Sequence, residues 1–491
     1  MRILAACRAE DLPVGEKRAA VPRTPPLRPL PRPKACSRDA PPRSLRAPLI
    51  GLLCLLPAVA LAEASRQNTA EFTLDNGLKL VVREDHRAPV AVVQLWYRVG
   101  SSQEAPGATG LSHALEHLMF KGSRKLGAGE ASHLLRDLGA EENAFTTDDY
   151  TVYYQLLARD RLPVALELEA DRMAHLRLAP DEITRELEVI KEERRLRTDD
   201  RPEALSFERF KAAAYPASGY RNPTIGWPQD LQRLSAAELQ RWYQTWYAPN
   251  NATLVVVGDV APEAVKAEVQ RWFGAIPRSD LPASKRPLEL PAPGERRLAL
   301  QAREVPSLLM GFNVPGLATA ASPRDAYALQ LLAALLGGGA GARLPSRLER
   351  GQELATSVRA AYGAYTNGDS LFLLSGIPNP QRGKTLEQLE AAFWEQLELL
   401  KREAPGAEEV ARVRALLVAG LVYGRDSITA QASSIGQLES IGLGWRQGDR
   451  LLDELGKVTP DDLRRVARTY FTRERLTLAQ LRPEPAAEAS R

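Results

Sequence analysis

Hydrophobic and polar residues alternate with two different periods along this chain. Between residues 71 and 99, short apolar runs are separated by turn residues such as Asp75-Asn76-Gly77, and this pattern predicts β-strands. Further on, apolar residues recur every three or four positions over longer stretches, which predicts helices. The two periods together indicate an α+β fold. The predicted strands are 71–74, 78–82, 90–99, a region at 143–157, and 253–257, and the predicted helices are 109–120, 128–138, 160–175, 181–197 and 261–273.

The same order of elements begins again after a proline-rich segment. Residues 277–295 contain five prolines and are predicted to be a linker. Beyond them, a strand pattern at 307–316 and a helix pattern at 323–336 repeat those of the first half. We therefore expect two homologous domains, each a mainly antiparallel sheet packed with helices, enclosing a cleft. The expected division is a leader and signal peptide at 1–62, a first domain at 63–276, the linker at 277–295 and a second domain at 296–491.

Charge separates the N-terminal segment from the rest of the chain. Residues 1–46 are rich in proline and arginine, and they carry 11 Lys and Arg against 4 Asp and Glu, a net charge of +7. Because the whole chain carries +4, the remainder carries −3. The basic character therefore belongs to the leader, and we expect no nucleic-acid partner for the body of the protein.

Residues 47–62 form an uncharged apolar run that follows two arginines and ends in Ala60-Leu61-Ala62. This arrangement is typical of a secretory signal peptide, with cleavage predicted after Ala62. A membrane anchor and a mitochondrial transit peptide are the alternatives, but the run is shorter than the roughly 20 residues that a spanning helix needs. All three cysteines precede the predicted cut, so the mature chain would carry no thiol. Both features favour a periplasmic protein with no stable membrane span.

Residues 113–117, His-Ala-Leu-Glu-His, carry the most specific chemistry in the sequence. In a helix, His113 and His117 lie one turn apart on a common face, with Glu116 beside them. Two imidazoles at this spacing can bind one Zn²⁺, and the carboxylate can accept a proton from water bound to the metal. Two ordinary surface or core histidines are the alternative, which this grouping disfavours. The leucines of the same helix fall on its opposite, buried side: Leu111, Leu115 and Leu118.

A catalytic zinc usually has three protein ligands, so a further ligand is expected. Since no further histidine is well placed and no cysteine follows the predicted cut, this ligand should be a carboxylate. The predicted helix 181–197 offers Glu186 and Glu193, which lie two turns apart on its apolar face. A carboxylate there is costly unless it meets a cation or a donor, so one can bind the metal while the other supports a ligand histidine. The apolar residues assigned to that face are Ile183, Leu187, Val189, Ile190 and Leu196.

The His-x-x-Glu-His motif with a downstream glutamate helix resembles the pitrilysin/insulinase family of zinc metallopeptidases, in particular its processing-peptidase-like branch. The resemblance covers about residues 70–485. It implies one Zn²⁺ per chain bound by His113, His117 and Glu193. Glu193 follows the second histidine by 76 positions, as the family's ligand does. The resemblance also implies Glu116 as general base and Glu186 as a support for a ligand. Further matching segments are Asn143-Ala144-Phe145-Thr146, Tyr220-Arg221-Asn222-Pro223 and Ile225-Gly226.

The activity implied by this resemblance is that of a zinc metalloendopeptidase, with no cofactor other than zinc. Its substrates would be extended peptides or precursor leaders. They would lie along the strand that contains Asn143, Ala144 and Phe145, adding a strand through backbone hydrogen bonds.

One feature departs from the family pattern. Relatives that complete the site within one chain carry an Arg and, seven positions later, a Tyr in their second half. Here Glu349 and Thr356 align with those positions, and the nearby Arg347 and Arg350 would need a shift of register. We therefore expect a heterodimer with a homologous subunit that supplies the Arg/Tyr pair, with a homodimer as the alternative. A non-catalytic or weakly active structural subunit is the competing interpretation of the chain.

Overall fold

The computed structural model describes residues 68–283, 285–302 and 305–484. The predicted leader and signal peptide, and with them all the cysteines, lie outside the described residues. Among the helices that are described, none combines the length and the apolar character needed to cross a bilayer.

A six-stranded sheet forms the centre of the first half. Its strands are β1 (Thr69–Thr73), β2 (Lys79–Glu84), β3 (Val90–Tyr97), β4 (Glu141–Thr146), β5 (Thr151–Ala158) and β6 (Ala252–Gly258). They lie in the order β1-β2-β6-β3-β5-β4, and all neighbours are antiparallel except β2 and β6. The helices are α1 (Leu111–Leu118), α2 (Glu130–Asp137), α3 (Leu162–His175), α4 (Pro180–Arg194), α5 (Pro202–Ala214), α6 (Pro228–Leu231), α7 (Ala236–Trp246) and α8 (Pro262–Phe273).

The second half contains a five-stranded sheet. Its strands are β7 (Arg296–Ala302), β8 (Ser307–Val314), β9 (Ala355–Tyr362), β10 (Ser370–Pro378) and β11 (Leu476–Pro483), in the order β7-β11-β8-β10-β9. Its helices are α9 (Pro323–Gly337), α10 (Leu386–Arg402), α11 (Ala407–Gly424), α12 (Ile428–Ser440), α13 (Arg446–Gly456) and α14 (Pro460–Tyr470).

The second sheet repeats the first without its outermost strand. The parallel pair β7–β11 corresponds to β2–β6, and the antiparallel strands β8, β10 and β9 correspond to β3, β5 and β4. The predicted α+β fold with two homologous, mainly antiparallel halves is therefore confirmed. No helix or strand occurs among the described residues of 277–295, while the domain boundaries themselves stay a prediction.

Each sheet is covered on one face by a helix from the other half. Helix α5 packs Phe210 and Ala214 against the second sheet, and helix α12 packs Ala432 and Ile435 against the first. Strand β3 is consequently buried on both faces, which explains its nearly continuous apolar sequence. The other face of the first sheet packs against α1, α3, α7 and α8 and forms the main core of that half.

Two predicted elements differ in detail. The predicted strand region 143–157 is a hairpin, because Thr147 closes a turn between β4 and β5: its hydroxyl oxygen accepts from the backbone N–H groups of Asp149 and Tyr150. The predicted helix 181–197 ends at Arg194, and a π-helical segment, Arg195–Asp199, follows it.

Candidate metal centre

Helix α1 buries its apolar face against the core, and this directs His113, Glu116 and His117 to its other face. It begins after Gly110, whose φ of 90° suits glycine. The carboxylate of Glu104 accepts hydrogen bonds from the backbone N–H groups of Gly110 and Ser112, both at 2.7 Å. These bonds satisfy two of the donors that a helix N-terminus leaves unpaired. The residues buried against the core are Leu111, Ala114, Leu115 and Leu118.

Helix α4 packs against α1 and contributes Glu186 and Glu193. Its buried apolar residues include Ile183, Leu187 and Ile190, as predicted. The prediction that Val189 and Leu196 share this face is wrong, since both are 51% exposed. At about 100° per residue, Val189 lies about 240° around the axis from Ile183. Leu196 lies beyond the end of α4, in the π-helical segment.

The structure brings His113, His117 and Glu193 together. Glu193 Oε2 lies 3.7 Å from His113 Nε2 and 3.4 Å from His117 Nε2. The potential ligand atoms of the three residues all lie within 4.8 Å of one another, and each residue is partly buried. Two imidazole nitrogens and a carboxylate oxygen form a donor set that suits Zn²⁺.

Glu193 itself shows that the cluster fits a cation. Its Oε2 atom is buried and has no hydrogen-bond partner within the described part of the chain, which is costly for a carboxylate oxygen. Its other oxygen, Oε1, pairs with Arg197 Nη1 at 2.7 Å. The carboxylate is therefore held with one oxygen on Arg197 and the other facing the two imidazoles, where a metal ion would satisfy it.

Glu186 lies behind His117. Its Oε1 is 2.9 Å from His117 Nδ1, and its Oε2 is 2.6 Å from Lys121 Nζ. The Nδ1 atom therefore has a carboxylate partner, and the Nε2 atom of the same ring faces Glu193. Such a partner fixes the orientation of an imidazole ligand. The corresponding Nδ1 atom of His113 is buried and has no partner among the described residues.

The two imidazoles differ in their protonation. Burial lowers the pKa of His113 to about 4, so its ring is neutral at pH 7. Burial also acts to lower the pKa of His117, but its hydrogen bond with Glu186 and the nearby negative charge of Glu193 outweigh this effect and raise the pKa to about 9. A metal ion that binds at Nε2 would therefore have to displace a proton from His117.

Glu116 points from α1 toward the edge strand β4. Its carboxylate accepts a short hydrogen bond from the hydroxyl of Thr146. Burial raises the pKa of Glu116, and the Thr146 hydrogen bond opposes this change only in part. A buried carboxylate with a raised pKa accepts protons more readily than an exposed one.

The predicted substrate-binding residues lie on β4, which among the described strands pairs only with β5. The backbone N–H of Thr147 donates to the carbonyl of Tyr150, so these two residues are a hydrogen-bonded pair. Because hydrogen-bonded and non-hydrogen-bonded pairs alternate along antiparallel strands, Ala144 is in a non-hydrogen-bonded pair and directs its backbone N–H and C=O away from β5. Asn143 is exposed, and its Oδ1 accepts from the Ala144 N–H at 2.8 Å. Phe145 lies on the face of the sheet opposite that of Ala144, near the ring of Trp96.

Several residues at the site escaped the sequence analysis. Lys121, Arg197 and Glu104 contact site residues or the start of α1, but single charged residues in a chain with 26% charged residues give no distinctive signal. Thr146 belongs to a segment that matches the family, but the match implies no contact with Glu116. Its spacing in sequence gives no indication that its hydroxyl would reach Glu116.

Glu349 and Thr356 occupy the two positions aligned with an Arg/Tyr pair. The Glu349 carboxylate accepts from the backbone N–H of Val358 at 2.7 Å, and Thr356 is an exposed residue of β9. Neither residue is a cation or a phenol, so these positions give the described chain no substitute for that pair.

Comparison with known proteins identifies the family. Residues 79–227 match the family described as "Insulinase (Peptidase family M16)", and residues 233–417 match the "Peptidase M16 inactive domain". The zinc protease PqqE of Helicobacter pylori is 31% identical over 441 residues, which cover 88% of this chain and 97% of that protein. The mitochondrial-processing peptidase subunit beta of Lentinula edodes is 26% identical over 426 residues, which cover 83% of this chain and 88% of that protein.

Solved structures show the same architecture. A protease from Helicobacter pylori has a TM-score of 0.79 and 28% sequence identity, with 85% of this chain and 100% of that chain covered. A peptidase M16 inactive domain from Pseudomonas fluorescens has a TM-score of 0.74 at 17% identity, with 86% and 99% covered, and so shares the fold. The chain belongs to the pitrilysin/insulinase family of peptidases, family M16, whose members among its relatives include zinc proteases.

Proposed function

We propose that this chain is a zinc-dependent endopeptidase. In this proposal His113, His117 and Glu193 bind one zinc ion, and Glu116 is the general base. The proposal rests on the convergence of the three donor side chains from α1 and α4, with a buried Glu193 oxygen that no described residue hydrogen-bonds. Zinc bound there would act as a Lewis acid, activating a water molecule and polarising the scissile carbonyl.

The protein's own groups would carry the proton transfers. The Glu116 carboxylate accepts a proton from the attacking water and passes it to the nitrogen of the leaving amine. The Thr146 hydroxyl donates to one carboxylate oxygen and leaves the other to receive the proton. Glu186 orients the His117 ring through Nδ1, which leaves Nε2 available for the metal.

Metal analysis combined with one substitution tests this function. The chain, purified together with any subunit that accompanies it in its native cell, should contain about one zinc per chain. Glu116→Gln should keep the zinc and lower the rate of peptide hydrolysis by about 10²- to 10⁴-fold. A chain that binds no zinc, or a Glu116→Gln variant with full activity, would contradict the proposal.

Substrates are proposed to bind as an additional strand along β4. The outward-facing backbone groups of Ala144 support this idea, and Asn143 would first have to release the Ala144 N–H. Peptides N-methylated at alternate positions test it, because methylation removes backbone donors without changing side chains. Methylation of the alternate residues whose N–H groups face β4 should lower kcat/KM. Methylation of the residues between them, whose N–H groups point away from β4, should have little effect.

The partner is proposed to be a homologous subunit that supplies the Arg/Tyr pair, which explains why Glu349 and Thr356 occupy those positions. Peptidase activity should then be weak in the isolated chain and should rise when the partner is added. Full zinc-dependent activity in a monomer or a homodimer would contradict this part of the proposal. The same two residues favour the second candidate function, a non-catalytic subunit, which predicts no turnover even in the complex.

The location is proposed to be the periplasm, from the signal-like run at 47–62 and the absence of cysteine after residue 54. N-terminal sequencing of the protein recovered from the periplasmic fraction should begin at Glu63. Recovery of the uncleaved chain from the cytoplasm would contradict this location.

A further inference from the structure

The proposed metal ligands come from two helices, so their spacing depends on whatever fixes α4 relative to α1. We infer that Arg194 and residues 225–230, a loop that runs into helix α6 (the 225–230 loop), are positioning elements that hold Glu193 at ligand distance from His113 and His117. This inference rests on the proposed zinc site. It also gives a physical role to the Ile225-Gly226 segment, which the chemistry of the site does not use.

Arg194 anchors the C-terminal end of α4, one residue after Glu193. It is 3% exposed, and its guanidinium donates two hydrogen bonds of 2.8 Å to the carboxylate of Glu208 on α5. Its Nη1 atom, which donates one of these two bonds, also donates to the backbone carbonyl of Gly226 at 2.9 Å. Its Nη2 atom lies 3.1 Å from Asp199 Oδ1. A buried, bidentate arginine is a rigid contact, so it fixes the end of α4 on the loop.

The opposite side of this loop contacts the start of α1. Gly226 has a φ of +91°, and a Cβ atom added to it would lie 2.7 Å from the Thr109 carbonyl oxygen and 2.8 Å from Gly110 Cα. A Cβ on Gly110 would lie 2.8 Å from the Ile225 carbonyl oxygen. Two facing glycines therefore let the backbones touch, which side chains at either position would prevent.

Asp230 fixes the same junction by hydrogen bonds. Its Oδ2 accepts from the Thr109 backbone N–H at 3.2 Å and from the Thr109 hydroxyl at 2.6 Å. The Thr109 hydroxyl oxygen in turn accepts from the Trp227 backbone N–H at 2.9 Å. The start of α1 and the end of α4 are thus attached to one short loop, from opposite sides.

This arrangement predicts that the loop controls zinc affinity separately from overall stability. A shift of α1 or α4 by a few tenths of an ångström would change the distances between Glu193 Oε2 and the two Nε2 atoms. Metal affinity is sensitive to such shifts, and the loss of a residue that orients a ligand typically costs about 10- to 100-fold. A residue with a purely structural role would lower the unfolding temperature and leave the zinc affinity of the folded protein unchanged.

Zinc affinity of the full chain, measured by competition with a chelator well below the unfolding temperature, tests the inference. Arg194→Lys keeps the charge beside Glu208 but loses the bidentate geometry, and Gly226→Ala perturbs the loop from the other side. We expect each to weaken zinc binding by roughly 10-fold or more. The control is Arg195→Lys, which alters an exposed arginine next in sequence that pairs with Glu192 and should leave the affinity within about 2-fold of wild type.

Thermal unfolding of the metal-free proteins identifies variants that do not fold. Such a variant is replaced in the zinc measurement by Asp230→Asn, which alters only the group that accepts hydrogen bonds from Thr109. Unchanged zinc affinity in the folded variants would overturn the inference while leaving the zinc site intact. A wild-type chain that binds no zinc would instead overturn the proposed function, so the two failures are distinguishable.

Discussion

Glu186 Oε1 lies 2.9 Å from His117 Nδ1, on the side of the ring opposite the nitrogen that faces Glu193. Glu186→Gln keeps the shape of the side chain but removes the charge that holds the His117 ring and Lys121. We expect zinc affinity to fall by about 10-fold or more, because the ring loses its charged partner. Competition with a chelator measures this change.

The matched control for that substitution is Glu188→Gln on the same helix. Glu188 is exposed and pairs only with Lys191 in the described structure, so its loss should leave zinc affinity unchanged. Equal zinc affinities for the two variants would show that Glu186 does not orient His117.

The ion pair between Arg197 and Glu193 leads to a second prediction. Because Arg197 Nη1 binds Glu193 Oε1, it keeps the other oxygen directed at the imidazoles. Arg197→Gln should therefore weaken zinc binding and lower kcat/KM, while the unfolding temperature of the metal-free chain changes little, since the arginine is largely exposed. A variant that keeps wild-type zinc affinity would mean that packing alone directs the carboxylate.

The sequence was sufficient to predict the candidate metal-binding histidines of α1, but it was not sufficient to predict the residues that surround them. A spacing of four residues places two histidines on one helical face in any context, so His113 and His117 could be predicted without tertiary information. The partners Thr146 and Arg197 depend on a neighbouring strand and on a π-helical turn. Neither the strand pairing nor the π-helical turn leaves a periodic signal in the sequence.

The order of elements was predictable for a similar reason. Strands such as β3 are apolar and bounded by turn residues, so they appear in the hydrophobic pattern. The sequence could not predict that α5 of the first half covers the second sheet and that α12 of the second half covers the first. An apolar helical face does not indicate which sheet it will cover. Val189 departs from the prediction because it adjoins Ile190 in sequence but lies about 240° around the helix axis from Ile183, on the exposed side.

A pH-dependent effect is expected at the junction of the two halves. Asp149 is buried, and its carboxylate accepts hydrogen bonds from the Tyr220 hydroxyl and from the backbone N–H of Asn367 in the second half. Burial raises the pKa of Asp149 to about 6, above its usual value of 3.8. The folded state thus keeps a proton that the unfolded chain releases at lower pH.

The sign of the effect follows from this difference. The stabilisation that Asp149 gains from protonation is complete below its unfolded pKa and is lost as the pH rises through about 6. Asp149→Asn removes this titration. The free energy of unfolding of the variant minus that of wild type should therefore increase by about 1–3 kcal/mol from about pH 4 to about pH 7. Denaturant unfolding at several pH values measures it, and a constant difference would show that the carboxyl does not titrate in this range.

The packing of α12 on the first sheet gives a prediction with its own control. A Cβ on Gly436 would meet the Trp96 ring at 2.0 Å, so Gly436→Ala must displace α12 or the ring. We expect a loss of about 1–3 kcal/mol in the free energy of unfolding. Gly420 also lies in a helix, α11, but an added Cβ there meets no atom within 4 Å among the described residues. Gly420→Ala should therefore stabilise the protein by up to about 1 kcal/mol, because alanine loses less backbone entropy than glycine on folding. Denaturant unfolding of the two variants should give shifts of opposite sign, and stabilisation of both variants would mean that helix propensity, and not contact with Trp96, determines the outcome at Gly436.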